Sequence, residues 1–386
     1  MSASTLPSIS EITRQVKTAA AEAGFDTAGI AGVREFPELE YFPRWIAEGR
    51  GGEMAYLGAR DEQGRLKRAS LRSVAPWARS VVVCGLNYNT AQPYSTQVND
   101  SDRGWISRYA WSRRDYHNVV LQKLERVEAR ISGQWAVASG QESSGQWSVG
   151  GGQQTQRPGI QTRAYVDTGP LVERVYAKYA GIGWMGKNTC IINQGLGSWL
   201  FLGVILTSLE LAPDLPAPDR CGTCMRCLEA CPTQALTAPC QLDSNLCISY
   251  LTIEKRGAIP ETMRAGMGRQ VFGCDICQDV CPWNRKAPAS SEPEFQPRPE
   301  LLNPALEWLA ELKAEQFAET FRGSPVRRAK LSGLRRNAVV AMGNSGNGKF
   351  ISILERLSSD PDPVVAEHAS WALAKLRTAP ESRSDG

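Results

Sequence analysis

The sequence predicts three successive regions: an α/β (α+β) region over residues 1–215, a compact cysteine-rich region over 216–290 and an all-helical region over 296–386. Three observations carry this division. Strand-like and helix-period apolar runs alternate as far as Leu211. Nine of the eleven cysteines then fall between Cys221 and Cys281. Beyond Pro304 only helix-period runs remain. Proline-rich stretches, Pro213 to Pro218 and Pro288 to Pro304, separate the regions.

In the first region, Ser8-x-x-Glu11 reads as a capping box opening a helix through Ile12, Val16, Ala19 and Ala20, closed by Gly24. Ser80–Asn87 is a buried strand by its β-branched run. Asp115–Ile131 is an amphipathic helix with Val120, Leu124, Val127 and Ile131 on one face. Tyr165 and Val166 end a strand, Gly169-Pro170 turns the chain and Leu171–Ala180 is helical. Trp199–Leu206 is a further apolar strand. The stretch 139–161, rich in Gly, Ser and Gln, reads as a flexible surface insertion. In the last region, Pro325–Met342, Lys349–Leu357 and Pro363–Leu376 are short helices. Gly343–Gly348 and Asp360–Pro363 form their junctions, a pattern expected of HEAT-like repeats.

With 386 residues, 42% hydrophobic and 22% charged, the chain has room for two or three domains of ordinary soluble composition. A net charge of +4 is too small to demand a polyanionic partner. Met1–Ser10 has neither a charged nor an apolar signal region, and Trp199–Leu211 is too short to span a bilayer. A cytoplasmic protein off the membrane, with a monomeric state, is therefore expected. Eleven cysteines in a reducing compartment point to metal rather than disulfides.

The cysteine spacing is specific. Cys221-x2-Cys224-x2-Cys227-x3-Cys231-Pro232 matches the bacterial ferredoxin run, and Cys274-x2-Cys277-x3-Cys281-Pro282 repeats most of it, with Cys247 supplying the missing ligand. In such two-cluster runs the fourth cysteine ligates the other cluster. One 4Fe-4S cluster would thus take Cys221, Cys224, Cys227 and Cys281, and the other Cys231, Cys247, Cys274 and Cys277, in a ferredoxin-like domain. A pair of zinc ribbons is the alternative, but zinc does not require the third cysteine followed by x3-Cys-Pro twice. Cys84, Cys190 and Cys240 are left over; Cys84 reads as a buried small hydrophobe. A pure electron carrier needs little more than this region, so the clusters are expected to feed something bound by the α/β region.

Further motifs carry a resemblance. Tyr165-Val166-Asp167-Thr168-Gly169-Pro170, Gly183-Trp184-Met185-Gly186-Lys187-Asn188-Thr189, Gly197-Ser198-Trp199, Cys247-Ile248-Ser249-Tyr250-Leu251-Thr252-Ile253-Glu254 and Arg335-Arg336-Asn337-Ala338, with both cysteine runs, resemble the epoxyqueuosine reductase family over nearly the whole chain. The resemblance implies a cobalamin-dependent enzyme that reduces the epoxide of epoxyqueuosine at the wobble position of tRNA, the electron donor being unknown. It implies a cobalamin-binding α/β domain with contacts at Ser249, Cys274 and Asp275 and near Arg68, Ala110 within Ser107–Ala110, Ile191 and Leu202. It also implies Asp167 near the reacting face, as the acid that protonates the opening epoxide. That role demands a carboxyl pKa raised by desolvation. The alternative places Asp167 in the N-terminal cap of the helix from Leu171.

Lys187 follows three glycines, but the spacing is not a phosphate loop; a cobalamin or substrate loop fits better. His117 opens a helix and caps or solvates it, and Tyr116 and His117 match a family stretch that allows a place near the cofactor. Arg322, Arg327, Arg328, Lys330, Arg335 and Arg336 lie between Phe321 and Asn337 without an acidic residue. With the resemblance, Arg327, Arg328, Arg335, Arg336 and Arg256 are expected to contact tRNA phosphates. Two rivals remain: a reductive dehalogenase, which shares cobalamin and two cubanes but usually carries a twin-arginine signal, and a non-catalytic electron-transfer module.

Overall fold

The protein is described here by a computed structural model covering residues 7–136, 155–157 and 160–378. The first region is built on five strands: β1 (Thr27–Gly32), β2 (Ser80–Asn87), β3 (Thr155–Arg157), β4 (Ile160–Tyr165) and β5 (Leu200–Thr207). They lie in the order β1-β2-β5-β4-β3, and every neighbouring pair is antiparallel. The alternation of helices and strands therefore yields an α+β layer rather than parallel crossovers. Most of the predicted insertion 139–161 lies outside the described residues; its last part does not form a loose loop but supplies β3 and the start of β4.

β2 is buried along its whole length, because both faces of the sheet are covered. Val82, Cys84 and Leu86 pack with Val16 and Ala20 of helix α1 (Ile9–Glu22) and with Val120, Leu124 and Val127 of another helix, Tyr116–Ala136. Val81 and Val83 face the opposite core with Leu39 of helix α2 (Pro37–Ala47) and Val175, Tyr176 and Ala177 of the helix Glu173–Tyr179. In chain order these two helices are α3 (Tyr116–Ala136) and α4 (Glu173–Tyr179). Cys84 is the buried small hydrophobe its strand position predicts, and burial pushes its thiol far up. The end of α4 sits so close to β1 that a Cβ on Gly29 would meet the Ala180 carbonyl at 1.9 Å. The capping box forms by half: Ser8 accepts from the Glu11 amide at 3.2 Å, while the Glu11 carboxylate turns to Arg14 and Gln15.

The core of the last region does not respect the sequence boundaries. Trp105, Ile106 and Trp111 from the first region and Val271 and Phe272 from the cysteine-rich region join Leu306, Phe321, Leu334, Phe350, Val365 and Ala372 in one apolar cluster. A short parallel ladder, Gln270–Phe272 against Trp105–Ile106, stitches the first region to the cysteine-rich one. Helix α5 (Ile248–Ile253) follows Cys247 in the cysteine-rich region, and the helices of the last region include α6 (Lys330–Asn344), α7 (Ile351–Leu357) and α8 (Pro363–Thr378). Asn337 of α6, fully buried, donates to the carbonyls of Thr252 and Val271 at 2.8 Å each.

Arg336 beside it is 1% exposed and donates to the carbonyls of Leu251, Lys255 and Gly257. Burial pushes its guanidinium down to about 10, helped by the charge of Arg256. Removing that side chain leaves three carbonyls without a donor, so Arg336→Ala is expected to lower stability by about 2–4 kcal/mol, measured by urea unfolding.

Candidate active site

The two cysteine runs meet as pseudo-equivalent loops, each closed by a four-residue helix, Arg226–Glu229 and Ile276–Asp279, which pack on one another. The thiols separate into two sets in space. Cys281 lies with Cys221 in an apolar cluster containing Trp184, Ile192 and Trp283, and the Cys227 thiol feels the charges of Cys281 and Cys221. Cys247 and Cys274 lie in a second cluster with Ile248, Leu251 and Ile259, and Cys274 feels Cys247 and Cys231. Burial pushes the thiols of Cys247, Cys274 and Cys277 up, and those of Cys227 and Cys281 up to about 11. Only strong metal–thiolate bonding would keep such groups deprotonated at neutral pH. Among the described residues, no three Cys, His, Asp or Glu side chains converge closely enough for a single metal ion.

The glycine-rich motif at 183–189 serves these loops. Trp184 Nε1 lies 3.4 Å from Cys221 Sγ, and Asn188 donates to the Cys277 carbonyl at 3.2 Å. Lys187 donates to the carbonyls of Gly222 and Cys224 at 2.7 and 2.9 Å. Lys187 thus braces the first cysteine loop through its side chain. Cys274 is set by Gly273, whose φ of +70° and contact with Ser107 leave no room for a Cβ. The Gly273 amide donates to the Thr252 hydroxyl of α5 at 2.9 Å. Asp275 is 3% exposed and accepts from the Trp105 indole, the Arg108 amide and the Ser107 hydroxyl. These bonds make Asp275 a structural tie between the first and the cysteine-rich regions.

The second constellation gathers at the end of β4. Asp167 has a φ of +42°, an uncommon conformation for a residue with a side chain, and is held there by its neighbours. Its carboxylate accepts from the Tyr116 hydroxyl and lies 2.8 Å from His117 Nε2. The other ring nitrogen, Nδ1, lies 2.7 Å from Asp115 Oδ1. Tyr116 is itself stacked on Phe201 of β5, centroids 4.2 Å apart and planes 2° from parallel. Asp167 does not cap α4: Val172 precedes that helix, and no side chain caps it.

Electrostatics reverse the expected proton assignment. For Asp167 desolvation is the largest single influence and pushes upward, yet His117, Tyr116 and Arg328 together outweigh it, so the carboxyl sits below its ordinary range. For His117 burial pushes downward, but the two flanking carboxylates raise it to about 9. At neutral pH the proton therefore resides on the imidazole, and Asp167 is ionised. His117, read from sequence as a helix-opening residue in a stretch that allows a place near the cofactor, joins the hydrogen-bonded group around Asp167. An Asp-x-His separated by fifty residues from its second carboxylate gives no local signal of this.

A cleft of about 310 Å³ is lined by Asp115, Tyr116 and His117 of this group, with Tyr109, Arg327 and Arg328 among others, and Asp167 lies just behind that lining through its contacts with Tyr116 and His117. A larger one, about 490 Å³, lies against Arg226, Glu229, Asp279 and Arg285 at the cysteine loops and contains none of the Asp167 group. Arg327 and Arg328 are exposed, as is Arg256, whose guanidinium donates to the Arg328 carbonyl at 2.9 Å. Arg335 and Arg336 are not available to RNA. Arg335 is bound to Asp360 at 2.5 Å and to the Ala310 carbonyl, and Arg336 is buried as described. The run carries no acid of its own, but folding brings Asp360 and, for Arg328, Glu254 against it.

Of the expected cofactor contacts, Arg68, Leu202, Ser249 and Cys274 are half-buried. Ala110 and Ile191 are 0% and 4% exposed, so their side chains belong to the cores.

Comparison with known proteins agrees with this geometry. A family model described as "Epoxyqueuosine reductase QueG, DUF1730" matches residues 68–168, and one for a 4Fe-4S double cluster binding domain matches 220–284. The epoxyqueuosine reductase of Xanthomonas campestris pv. campestris is 36% identical over 373 residues, 96% of this chain and 97% of that protein. That of Synechocystis sp. is 43% identical over 315 residues, 80% and 98% of the two chains. A crystal structure of epoxyqueuosine reductase with an epoxyqueuosine-modified tRNA-Tyr stem loop superposes with a TM-score of 0.78 at 30% identity, covering 96% and 91%. The two cysteine loops are those of a double 4Fe-4S domain, and the chain belongs to the epoxyqueuosine reductase family.

Proposed function

We infer that this protein reduces the epoxide of epoxyqueuosine in tRNA to queuosine. The observation that carries the reading is the Asp115–His117–Asp167–Tyr116 group, three of whose members line a cleft rimmed by exposed arginines. The reaction takes up two electrons and two protons and releases water, so it needs a reductant and a positioned acid together.

The thiols fit two cubanes with crossed ligands, Cys221, Cys224, Cys227 and Cys281 for one and Cys231, Cys247, Cys274 and Cys277 for the other. The residues beside Asp167 also fit cobalamin. Glu173 Oε1 is buried without a hydrogen-bond partner, burial pushes that carboxyl up to about 7, and it feels the charges of Arg68 and Asp167. An unsatisfied acceptor of this kind suits the amide N–H groups around a corrin. Arg68, Leu202, Ser249 and the Cys274 loop complete the candidate contacts. Cobalamin, when bound, supplies a strongly nucleophilic reduced cobalt that draws electrons singly from the clusters.

This chain's residues then handle the first of the two protons, and the second, which turns the departing oxygen into water, is taken from solvent. His117 stores the first, and Asp115 fixes the imidazole so that Nε2 faces Asp167. Substrate in the cleft excludes water and strengthens the desolvation that already pushes Asp167 upward. The proton passes from Nε2 to the carboxylate, which gives it to the epoxide oxygen; Asp167 thus keeps its role as donor, with His117 as its source.

The helices α6–α8 read as a HEAT-like module beside the cleft, and exposed Arg256, Arg327 and Arg328 suit RNA phosphates. The working form is taken to be a cytoplasmic monomer served by a separate electron donor; no described helix is long and apolar enough to cross a membrane. Neutralising Arg256, Arg327 and Arg328 together is expected to weaken stem-loop binding and to reduce the slope of log K against log salt by about one per lost phosphate contact. An unchanged slope would remove this face from the interface.

The direct test incubates reconstituted protein with reductant and epoxyqueuosine-bearing tRNA, followed by nucleoside mass analysis. Queuosine should appear only when cobalamin is present. Iron–sulfur absorbance without corrin uptake or product would favour an electron-transfer module instead.

A further inference from the structure

At the rim of the cleft one aromatic ring is exposed with a cation against it. Tyr56, in the short 3-10 segment Ala55–Gly58, is 46% exposed, and among the described residues only Ile9 and Leu215 are large apolar side chains similarly open. Its hydroxyl accepts from Arg328 Nη2 at 3.1 Å, and the Arg328 guanidinium carbon lies 5.8 Å from the ring centroid. Arg328 is tied to Glu254 at 2.5 Å and lines the cleft that contains His117. The charges of Arg68 and Asp167 both reach the Tyr56 hydroxyl.

The backbone leading into the ring's segment is also tied down. The Glu53 amide donates to the Tyr250 hydroxyl at 2.8 Å, and Tyr250 fills the space beside Gly52, where a Cβ would come within 2.5 Å of it. Glu53 itself binds Lys255 and the Arg256 amide. An exposed tyrosine held against an arginine, on a rim of exposed arginines, has the form of a stacking surface. Sequence-tolerant contacts to single-stranded RNA are made this way, because every base has a π face. The core gains little from a ring that remains half exposed.

We propose that Tyr56, braced by Arg328, is a stacking platform for an unpaired nucleobase of the anticodon loop flanking the reacting nucleoside. The proposal rests on the reading that tRNA is the substrate. The platform anchors the loop while the modified nucleoside enters the cleft. The ring matters for this role and the hydroxyl serves only to orient it.

The test uses the reconstituted full chain and an anticodon stem-loop carrying 2-aminopurine next to epoxyqueuosine. Wild-type protein should quench its fluorescence on binding. Tyr56→Phe should bind and quench as wild type, whereas Tyr56→Ala should lose the quench and bind about tenfold more weakly. Unchanged cluster absorbance and unfolding midpoint verify that both variants are folded. Full quenching by Tyr56→Ala, or equal losses in Tyr56→Phe and Tyr56→Ala, would overturn the platform while leaving the substrate assignment intact. Failure of wild-type protein to bind the stem-loop at all would overturn the tRNA reading and the platform with it.

Discussion

Asp167→Asn is expected to reduce epoxide turnover by about 10²–10⁴-fold, the usual range for loss of a positioned acid. Cluster absorbance, corrin uptake and stem-loop affinity should stay as in wild type. The amide can still accept a hydrogen bond from Tyr116 or His117, but it cannot receive a proton and pass it on. Wild-type turnover in this variant would end the role of Asp167. The same geometry sets a pH dependence. His117 is raised from 6.5 to about 9, so the stored proton is present below that value and is lost as pH rises through it. Activity should hold through neutral pH and fall above about 9. In Asp115→Asn one of the two raising interactions is gone, and the alkaline limb should move to lower pH.

Stability follows by linkage. The raised His117 contributes stability that is fully present below 6.5 and disappears as pH climbs through about 9. The lowered Asp167 contributes above its ordinary 3.8, and that part is lost as pH falls through its depressed value.

Serine substitution at Cys231 and at Cys281 is the second large effect. Each should abolish turnover and lower bound iron and sulfide by about half, since one cubane fails while the other assembles. Crossed ligation predicts which one fails. Cys231→Ser should remove the same spectroscopic signal as Cys274→Ser, although Cys231 is only four residues from Cys227. Cys281→Ser should remove the signal lost in Cys221→Ser. Electron paramagnetic resonance of the reduced variants reads this directly. Loss following sequence proximity, Cys231 with Cys227 and Cys281 with Cys277, would overturn the crossed assignment. The apolar cluster joining Cys281 to Cys221 favours the crossed one.

Much of this was legible in the chain itself. The cysteine spacing encodes its chemistry locally, because ligands three residues apart in a tight turn must share a cubane wherever the turn lies. Ser80–Asn87 was readable as a strand covered on both faces because an unbroken β-branched run has no polar side to expose. Ionisation and exposure were not readable in this way. Asp167 and His117 are fifty positions apart, and which of them carries the proton depends on Asp115, Tyr116 and Arg328 arriving around them. Arg335 and Arg336 look like their exposed neighbours Arg327 and Arg328 until α6 is packed between Asp360 and the carbonyls near α5. The sequence alone determined the double-cluster cysteine pattern and most of the elements, which depend on near neighbours along the chain. Only tertiary structure decided the proton's location and the accessible cations, since desolvation and charge act through space.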